Sequence, residues 1–160
     1  MTKTDISNIC EGDNAPDFSL PGDSDQTVTL SALRGKKIVL FFYPKDNTPG
    51  CTKEAIGFSE NLDAFKALGA EIIGMSPDSI KKHDNFKTKH ALTVTLASDE
   101  EKTALQAYGV WVEKSMYGKK YMGVERSTFL IDENGKIAKV WRKVKVAGHV
   151  EAVLESLKAV

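Results

Sequence analysis

The segment KKIVLFFYPKDNTPGCTKEA, residues 36–55, predicts both the architecture of the chain and its reactive group. Its first half is a continuous run of β-branched and aromatic residues, which is typical of a strand buried on both faces of a mainly parallel sheet. Its second half predicts the start of a helix, and a lone cysteine, Cys51, lies between the two. Because loops at the carboxyl ends of parallel strands hold reactive groups, Cys51 occupies a position suited to chemistry.

Alternating strands and helices follow this segment. Further strands are predicted at residues 70–76, 94–97, 126–131 and 136–141, and helices at residues 52–68, 79–90, 100–108 and 147–158. Residues 17–20 and 27–30 predict an opening hairpin, and an Asn-Gly pair predicts a tight turn between the last two strands. The predicted fold class is therefore α/β: a thioredoxin-like α/β sandwich with a mixed central sheet flanked by helices and an N-terminal β-hairpin.

Length and charge indicate a single domain of ordinary composition. The 160 residues are 41% hydrophobic, and we expect a flexible N-terminal arm at residues 1–12 and one domain at residues 13–160. The 22 basic and 22 acidic side chains balance, so nothing points to nucleic acid or an anionic membrane as a partner. The N-terminus lacks the apolar core of a signal peptide, and the longest apolar run, residues 38–43, is too short to span a bilayer. We expect a soluble, cytoplasmic protein whose two cysteines remain thiols.

The predicted position of Cys51 favours an ionised sulfur. At the first turn of a helix, unpaired backbone N–H groups and the positive end of the dipole favour thiolate over thiol. Thr48 lies three residues earlier and can place its hydroxyl beside the sulfur, while Pro44 and Pro49 restrict the loop. The loop is thus predicted to hold one shape around a nucleophile.

Ionisation alone does not make an enzyme, so a further charged donor is expected. An ordinary thiol gains only roughly 30-fold, or about 2 kcal/mol, from complete ionisation at neutral pH, whereas enzymes commonly need at least about 8 kcal/mol. Preorganised donors in a dry site can each supply on the order of 3 kcal/mol. The chain has three arginines, Arg34, Arg126 and Arg142. Arg126 opens a strand that this architecture places beside residues 38–43, so we predict that it reaches the thiolate.

These residues resemble a known family. Pro44, Thr48 and Cys51 reproduce the PxxxTxxC signature of peroxiredoxins, which are thiol peroxidases of thioredoxin-like fold. The longer string FFYPKDNTPGCTKEA resembles the Q-type branch, also called the bacterioferritin comigratory protein group. The similarity extends across nearly the whole chain, from GDNAPDFSL near the start to ERSTFLIDENGKI near the end.

The resemblance implies a set of site residues and a reaction. It makes Cys51 the peroxidatic cysteine, with Pro44, Thr48 and Arg126 completing the peroxide pocket. Gly50 and Glu54 are the expected substrate-binding residues, and Glu54 is also expected to orient Arg126. The Cys51 thiolate would attack hydrogen peroxide or an organic hydroperoxide, giving a sulfenic acid and water or an alcohol. Antioxidant defence is the expected role, and no metal, haem or flavin is required.

The sequence departs from the family pattern at the resolving cysteine. Many Q-type members carry it five residues after the peroxidatic cysteine, where this chain has Ile56, and others carry it in the next helix, here residues 79–90, which hold no cysteine. We therefore predict a one-cysteine cycle in which an external thiol, from glutathione with glutaredoxin or from thioredoxin, restores Cys51. Cys10 is expected to be an exposed thiol, with a resolving role left open. A monomer is favoured.

Other functions and sites remain as alternatives. A thiol-disulfide oxidoreductase is disfavoured because the third residue after Cys51 is Glu54 and not a second cysteine. A redox sensor on the same fold, in which oxidation of Cys51 changes a binding partner, stays open.

Histidine spacing predicts no metal site. His83 and His90 lie seven residues apart on one predicted helix, roughly 10 Å along its axis, and His149 is alone in sequence. Trp111 and Tyr117 fall in a stretch predicted to be irregular and are interpreted as structural residues, with a pocket wall or an interface as the alternative.

Overall fold

The computed structural model describes residues 9–160. Its strands are β1 (Ser19–Pro21), β2 (Thr27–Thr29), β3 (Lys37–Phe42), β4 (Ala70–Ser76), β5 (Thr95–Ser98), β6 (Trp111–Met116), β7 (Lys119–Val124), β8 (Ser127–Ile131) and β9 (Ile137–Trp141). Its helices are α1 (Pro49–Glu60), α2 (Leu62–Ala67), α3 (Ile80–His90), α4 (Thr103–Ala107) and α5 (His149–Leu157). Short 3₁₀ turns at Asp23–Asp25 and Leu30–Leu33 follow β1 and β2.

A five-stranded mixed sheet forms the centre, in the order β5-β4-β3-β8-β9. Strands β3, β4 and β5 are parallel, whereas β8 is antiparallel to both β3 and β9. The predicted sandwich, the mixed sheet and the opening hairpin of β1 and β2 are confirmed. Strand β8 also pairs with β3, as predicted, which brings the start of β8 next to the end of β3.

The alternation of side chains along β3 divides the core into two layers. Ile38, Leu40 and Phe42 belong to a cluster that includes residues of α4 and β2. Val39 and Phe41 belong to a second cluster that includes residues of α1, α2, α3 and α5. From its second residue onward, every residue of β3 is buried, which explains why its sequence is a continuous apolar run and not an alternating one.

The helix predicted at residues 52–68 differs in two respects. It begins earlier, because Pro49 occupies the first helical position, where its missing N–H costs nothing. It also divides into α1 and α2 at Asn61, whose side-chain amide donates to the Gly57 carbonyl at 2.8 Å and competes with the backbone ladder. None of the helices in residues 9–160 is long and apolar enough to cross a bilayer.

The stretch predicted to be irregular is an antiparallel hairpin of β6 and β7. Its strands pair with each other in register from Trp111 and Val124 at the base to Met116 and Lys119 at the tip, and Tyr117 turns the chain with a φ of 53°. Both faces of the hairpin are largely exposed. Its sequence therefore lacks the alternation of apolar and polar residues that indicates a half-buried strand.

The predicted N-terminal arm meets the domain before its assigned end. Residues 1–8 lie outside the described part of the chain. The Gly12 N–H donates to the Ile137 carbonyl at 2.8 Å, and Ile9 packs against the first core cluster. Ile9 and Gly12 thus contact the rest of the domain, and the boundary at residue 12 stays a prediction.

We expect Gly74→Ala to destabilise the fold by about 2 kcal/mol, the typical cost of overpacking a core. A Cβ atom at Gly74 in β4 would lie 2.6 Å from Phe41 Cζ and 3.0 Å from Leu96 Cδ2. Urea unfolding measures the change. The double variant Gly74→Ala/Phe41→Leu should lose less than the sum of the single variants, because the smaller side chain makes room. An unfolding free energy for Gly74→Ala equal to the wild-type value would contradict this packing.

Candidate active site

The loop between β3 and α1 presents Cys51 at the start of a helix. Cys51 is the third residue of α1 and is only 1% exposed. Thr48 is the N-cap residue, yet its hydroxyl donates to the Lys45 carbonyl at 2.8 Å and does not cap the helix. The N–H groups of the first helical turn have no intrahelical acceptor, so those of Gly50 and Cys51 remain available to a ligand.

Arg126 lies against the sulfur because of the pairing between β3 and β8. Phe42, the last residue of β3, pairs with Ser127, which places Arg126 at the same edge of the sheet as the loop. Its Nη2 donates to Cys51 Sγ at 3.2 Å, and its Nη1 donates to Glu54 Oε1 at 2.7 Å. One guanidinium therefore bridges the sulfur and a carboxylate.

Glu54 anchors this guanidinium from inside the protein. It lies one helical turn after Cys51 and is fully buried, and its Oε2 has no hydrogen-bond partner among the described residues. Burial raises the pKa of Glu54 to about 7, although the charge and hydrogen bond of Arg126 oppose the rise. Gly50 permits the close approach, since a Cβ there would lie 3.2 Å from Arg126 Nη2.

The neighbouring titratable groups respond to the positive charge of Arg126. Burial and then the Arg126 charge lower the pKa of His149 to about 4, so this ring is neutral near pH 7; its Nε2 lies 2.7 Å from Thr128 Oγ1. Burial and then Arg126 also lower the pKa of Lys114. For Arg126 itself burial alone would lower the pKa, but Glu54 and Cys51 outweigh it and raise the value. The site is a region of positive potential around one sulfur.

The sequence of this chain is similar to those of proteins of a known family. The AhpC/TSA family profile matches residues 11–140. The chain belongs to the AhpC/TSA family. It is 54% identical to peroxiredoxin Bcp of Bacillus subtilis over 147 residues, which cover 92% of this chain and 94% of the relative. Such relatives are peroxiredoxins, which are thiol peroxidases, and this chain is a peroxiredoxin as the resemblance implied.

Solved structures agree with the fold. PrxQ of Xylella fastidiosa, in mutant form, is 41% identical with a TM-score of 0.91, covering 96% of this chain and 98% of that one. The bacterioferritin comigratory protein of Xanthomonas campestris is 46% identical with a TM-score of 0.85, covering 89% and 90%. The latter was solved as trapped intermediate and ligand complexes that concern its alkyl peroxide reduction.

The structure brings most of the predicted site residues of this peroxiredoxin together. Cys51, Glu54 and Arg126 are in direct contact through the bonds given above, and Gly50 packs against the same guanidinium. Thr48 directly precedes α1, and Pro44, which is half-buried, begins the loop. Glu54 and Gly50, predicted as substrate-binding residues, both contact the guanidinium of Arg126.

A buried hydrogen-bond network fixes the loop of the peroxiredoxin from the other side. Asp46, in the middle of the loop, accepts from the Tyr43 hydroxyl at 2.6 Å and lies 2.7 Å from His83 Nδ1 on α3. His83 Nε2 lies 2.9 Å from the Ala97 carbonyl. Both ring nitrogens face oxygen acceptors, and the hydrogen bond and charge of Asp46 raise the pKa of His83, which favours the protonated ring. Sequence analysis missed this pair because 37 residues separate its members.

The same network includes the one group of possible metal ligands that residues 9–160 bring together. Asp46, Asp78 and His83 place ligand atoms within 4.8 Å of one another. Asp78 Oδ2, however, accepts from the Asp46 backbone N–H at 2.8 Å and from the Ser76 hydroxyl at 2.7 Å. The oxygen and nitrogen atoms of these side chains already form hydrogen bonds within the network. The arrangement therefore fits a structural network better than a metal site. Counting histidines alone could not have found this cluster.

We expect Glu54→Gln to remove a pH dependence of stability. The folded pKa of about 7 lies above the ordinary 4.5, so the folded state holds an extra proton between these values and wild-type stability falls as pH rises through them. The unfolding free energy of the wild type minus that of Glu54→Gln should fall by roughly 3 kcal/mol between about pH 4 and about pH 8. Urea unfolding at both pH values measures it. A difference that stays constant would contradict the raised pKa.

We expect Asp46→Asn to cost more stability at low pH than at high pH. Burial alone lowers the pKa of His83, but the hydrogen bond and charge of Asp46 outweigh it, so the pKa is raised above 6.5. The stability that this pair contributes is present below about pH 6.5 and is lost as pH rises through the raised value. Asp46→Asn should lower the free energy of unfolding by roughly 3 kcal/mol at about pH 6 and by clearly less at about pH 9.

Urea unfolding at the two pH values checks the Asp46→Asn prediction. Asp63→Asn, an exposed position on α2, is the matched control and should change little at either pH. An equal cost of Asp46→Asn at both pH values would show that His83 carries no charge in this network.

Proposed function

We propose that the Cys51 thiolate attacks one oxygen of a peroxide and becomes a sulfenic acid. A sulfur–oxygen bond forms while the oxygen–oxygen bond breaks, and the leaving oxygen departs as hydroxide or alkoxide and takes up a proton to give water or an alcohol. The observation that carries the proposal is the 3.2 Å contact from Arg126 Nη2 to Cys51 Sγ. A fixed cation at this distance stabilises both the thiolate and the charge that passes to the leaving oxygen.

The remaining groups of the loop are suited to holding the peroxide. We assign to Thr48 and to the backbone N–H of Cys51 the hydrogen bonds that orient the two oxygens. The Thr48 hydroxyl, which donates to the Lys45 carbonyl, can accept from a peroxide O–H, and the Cys51 N–H has no intrahelical acceptor and can donate. Pro44 forms part of the wall and keeps a backbone donor out of the loop. Gly50 and Glu54 support the same pocket by holding the guanidinium of Arg126 in place.

Hydrogen peroxide and small organic hydroperoxides are the proposed substrates, and antioxidant defence is the proposed role. The alkyl peroxide reduction named for the Xanthomonas relative supports the organic class. Because Cys51 is only 1% exposed, small substrates are favoured over bulky ones. A monomer is the proposed oligomeric state.

An external thiol is proposed to complete the cycle because Cys10 lies at the opposite end of the sheet. Its neighbour Gly12 bonds to Ile137, whose partner Ile131 pairs with Ile38 at the start of β3, whereas Cys51 follows the end of β3. The strand alone spans roughly 16 Å, and a disulfide needs Cα atoms within about 7 Å. Glutathione with glutaredoxin, or thioredoxin, fits this need, and such a reductant places the enzyme in a reducing compartment such as the cytoplasm.

Intact-mass analysis after one equivalent of peroxide tests the one-cysteine cycle. We expect the wild type to gain one oxygen atom, or one glutathionyl group when glutathione is present, and Cys51→Ser to gain neither. Cys10→Ser should keep peroxide turnover. An intramolecular bridge, visible as the loss of two hydrogens without any addition, would overturn the external-thiol cycle.

Steady-state turnover separates this enzyme from the alternative redox sensor. With an added thiol in excess, we expect many equivalents of peroxide to be consumed per Cys51. Consumption that stops after one equivalent would favour the sensor.

A further inference from the structure

A basic groove lies beside Arg126, outside the residues assigned to peroxide chemistry. It is a cavity of about 380 Å³ between β6, the residues before β8 and the loop after β9. Its charged lining consists of Lys114, Arg126 and Lys143 with Glu113 and Glu125, and two valines complete it. Arg126 belongs both to this lining and to the contact with Cys51 Sγ, so the basic groove and the reactive sulfur share one side chain.

Two cations of the basic groove have no ion-pair partner in the described part of the chain. Arg126 is paired with Glu54, and Glu125 lies 3.9 Å from Arg142 Nη1. Within residues 9–160, Lys114 and Lys143 have no carboxylate within 4.0 Å of their amines, as the ion pairs of the described chain show. The balanced charge of the whole chain conceals this excess: residues 111–148 hold nine Lys or Arg and four Asp or Glu. The basic groove is therefore positive and incompletely neutralised.

The backbone holds these cations in place. The Val144 N–H donates to the Arg126 carbonyl at 2.9 Å, which attaches the loop after β9 directly to the active-site arginine. Lys143 adopts a φ of 50°, a left-handed conformation that non-glycine residues seldom take and that concentrates at functional sites. Burial and then the charge of Arg126 lower the pKa of Lys114, and an anion bound beside this amine would stabilise its charged form.

We propose that the basic groove binds a small anionic thiol, which reduces the Cys51 sulfenic acid, through contacts of its carboxylates with Lys114 and Lys143. This proposal rests on the one-cysteine cycle proposed above. Glu113, which has no cation within 4.0 Å among residues 9–160, is placed to accept a hydrogen bond from the ammonium group of a peptide thiol. The volume is at the lower end of small-molecule sites, which suits a di- or tripeptide.

The chemistry balances with this thiol as the only co-reactant. Its sulfur attacks the Cys51 sulfenic sulfur, a disulfide bond forms, and hydroxide leaves with a proton as water. A second thiol then attacks the mixed disulfide and releases Cys51 and an oxidised thiol dimer. Because Cys51 is 1% exposed, the first turn of α1 has to shift for the attack, and the basic groove keeps the thiol beside it during that movement.

Thiols that differ in charge test the proposal. We would compare 3-mercaptopropionate, which is anionic, with 2-mercaptoethanol, which is neutral, as reductants of the pre-formed sulfenic acid, each at equal thiolate concentration. The rate constant for the anionic thiol divided by that for the neutral thiol should exceed one in the wild type. This ratio should fall about fivefold in Lys143→Gln and in Lys114→Gln, as expected for one lost charge near the ligand. It should also fall with added salt.

Lys66→Gln is the matched control, since Lys66 is exposed on α2 and lies near Lys36 and Ala70 at the starts of β3 and β4, away from the groove residues. Its ratio should equal that of the wild type. A ratio that is unchanged in both groove variants would overturn the proposal. Turnover with the neutral thiol reports separately on the one-cysteine cycle. If neither thiol restores Cys51, the one-cysteine cycle is overturned. If both thiols restore Cys51 at the same rate, only the proposed role of the basic groove is overturned.

A final arm distinguishes the thiol from an anionic hydroperoxide, which offers the same carboxylate. Here the thiol is 2-mercaptoethanol and the comparison is between a neutral and a carboxylated alkyl hydroperoxide. We expect the rate constant of Cys51 oxidation by the carboxylated hydroperoxide, divided by that for the neutral hydroperoxide, to be the same in the wild type and in Lys143→Gln. A fall of this ratio, with no fall in the thiol ratio, would assign the basic groove to the peroxide and overturn the proposal.

Discussion

The guanidinium fork of Arg126 is the contact on which the rest of the site depends. One nitrogen donates to Cys51 Sγ at 3.2 Å while the other donates to Glu54 at 2.7 Å, so a single planar cation is fixed between two acidic groups. A buried carboxylate is costly when it stands alone, and a nearby arginine offsets part of that cost. The pKa of Glu54, raised to about 7, records that the offset is incomplete. Burial of the Glu54 carboxylate thus lowers the stability of the fold, while the same carboxylate holds a cation at the sulfur.

The fold holds the reactive loop from two directions. On one side, the pairing of β3 with β8 delivers Arg126 to the end of β3. On the other side, the buried pair of Asp46 and His83 attaches the middle of the loop to α3. The loop after β9 is in turn bonded to the Arg126 carbonyl through Val144. Cys51 therefore lies between rigid elements, and the basic groove adjoins the same arginine.

Local pattern was sufficient to predict the parts of the molecule that depend on neighbouring residues. The apolar run of β3, the helix after it and the loop between them were all evident from the sequence, and the position of Arg126 followed from the expected strand order. The hairpin of β6 and β7 was not evident, because neither of its faces is buried and its residues carry no alternation. Asn61, a side chain competing with its own helix, divided α1 from α2 without a glycine or proline as a signal.

Pairs that form only through the fold were beyond sequence reasoning. Asp46 and His83 are brought together by the parallel crossover from β3 to β4 and by the docking of α3, and neither residue carries a motif. Lys114 and Lys143 come from elements that are distant in the chain, and a balanced overall charge conceals them. By contrast, Cys51, Thr48 and Pro44 stand close together in one loop, and their chemistry could be anticipated before the structure was seen.

The most direct measurement is the rate at which peroxide oxidises Cys51, followed by stopped flow in the wild type and in Arg126→Gln. We expect the substitution to slow this reaction by at least about 100-fold, the effect of removing one preorganised donor. Because Glu54 acts through Arg126, the double variant Arg126→Gln/Glu54→Gln should be no slower than Arg126→Gln alone. Oxidation of Arg126→Gln at the wild-type rate would contradict the role of this cation.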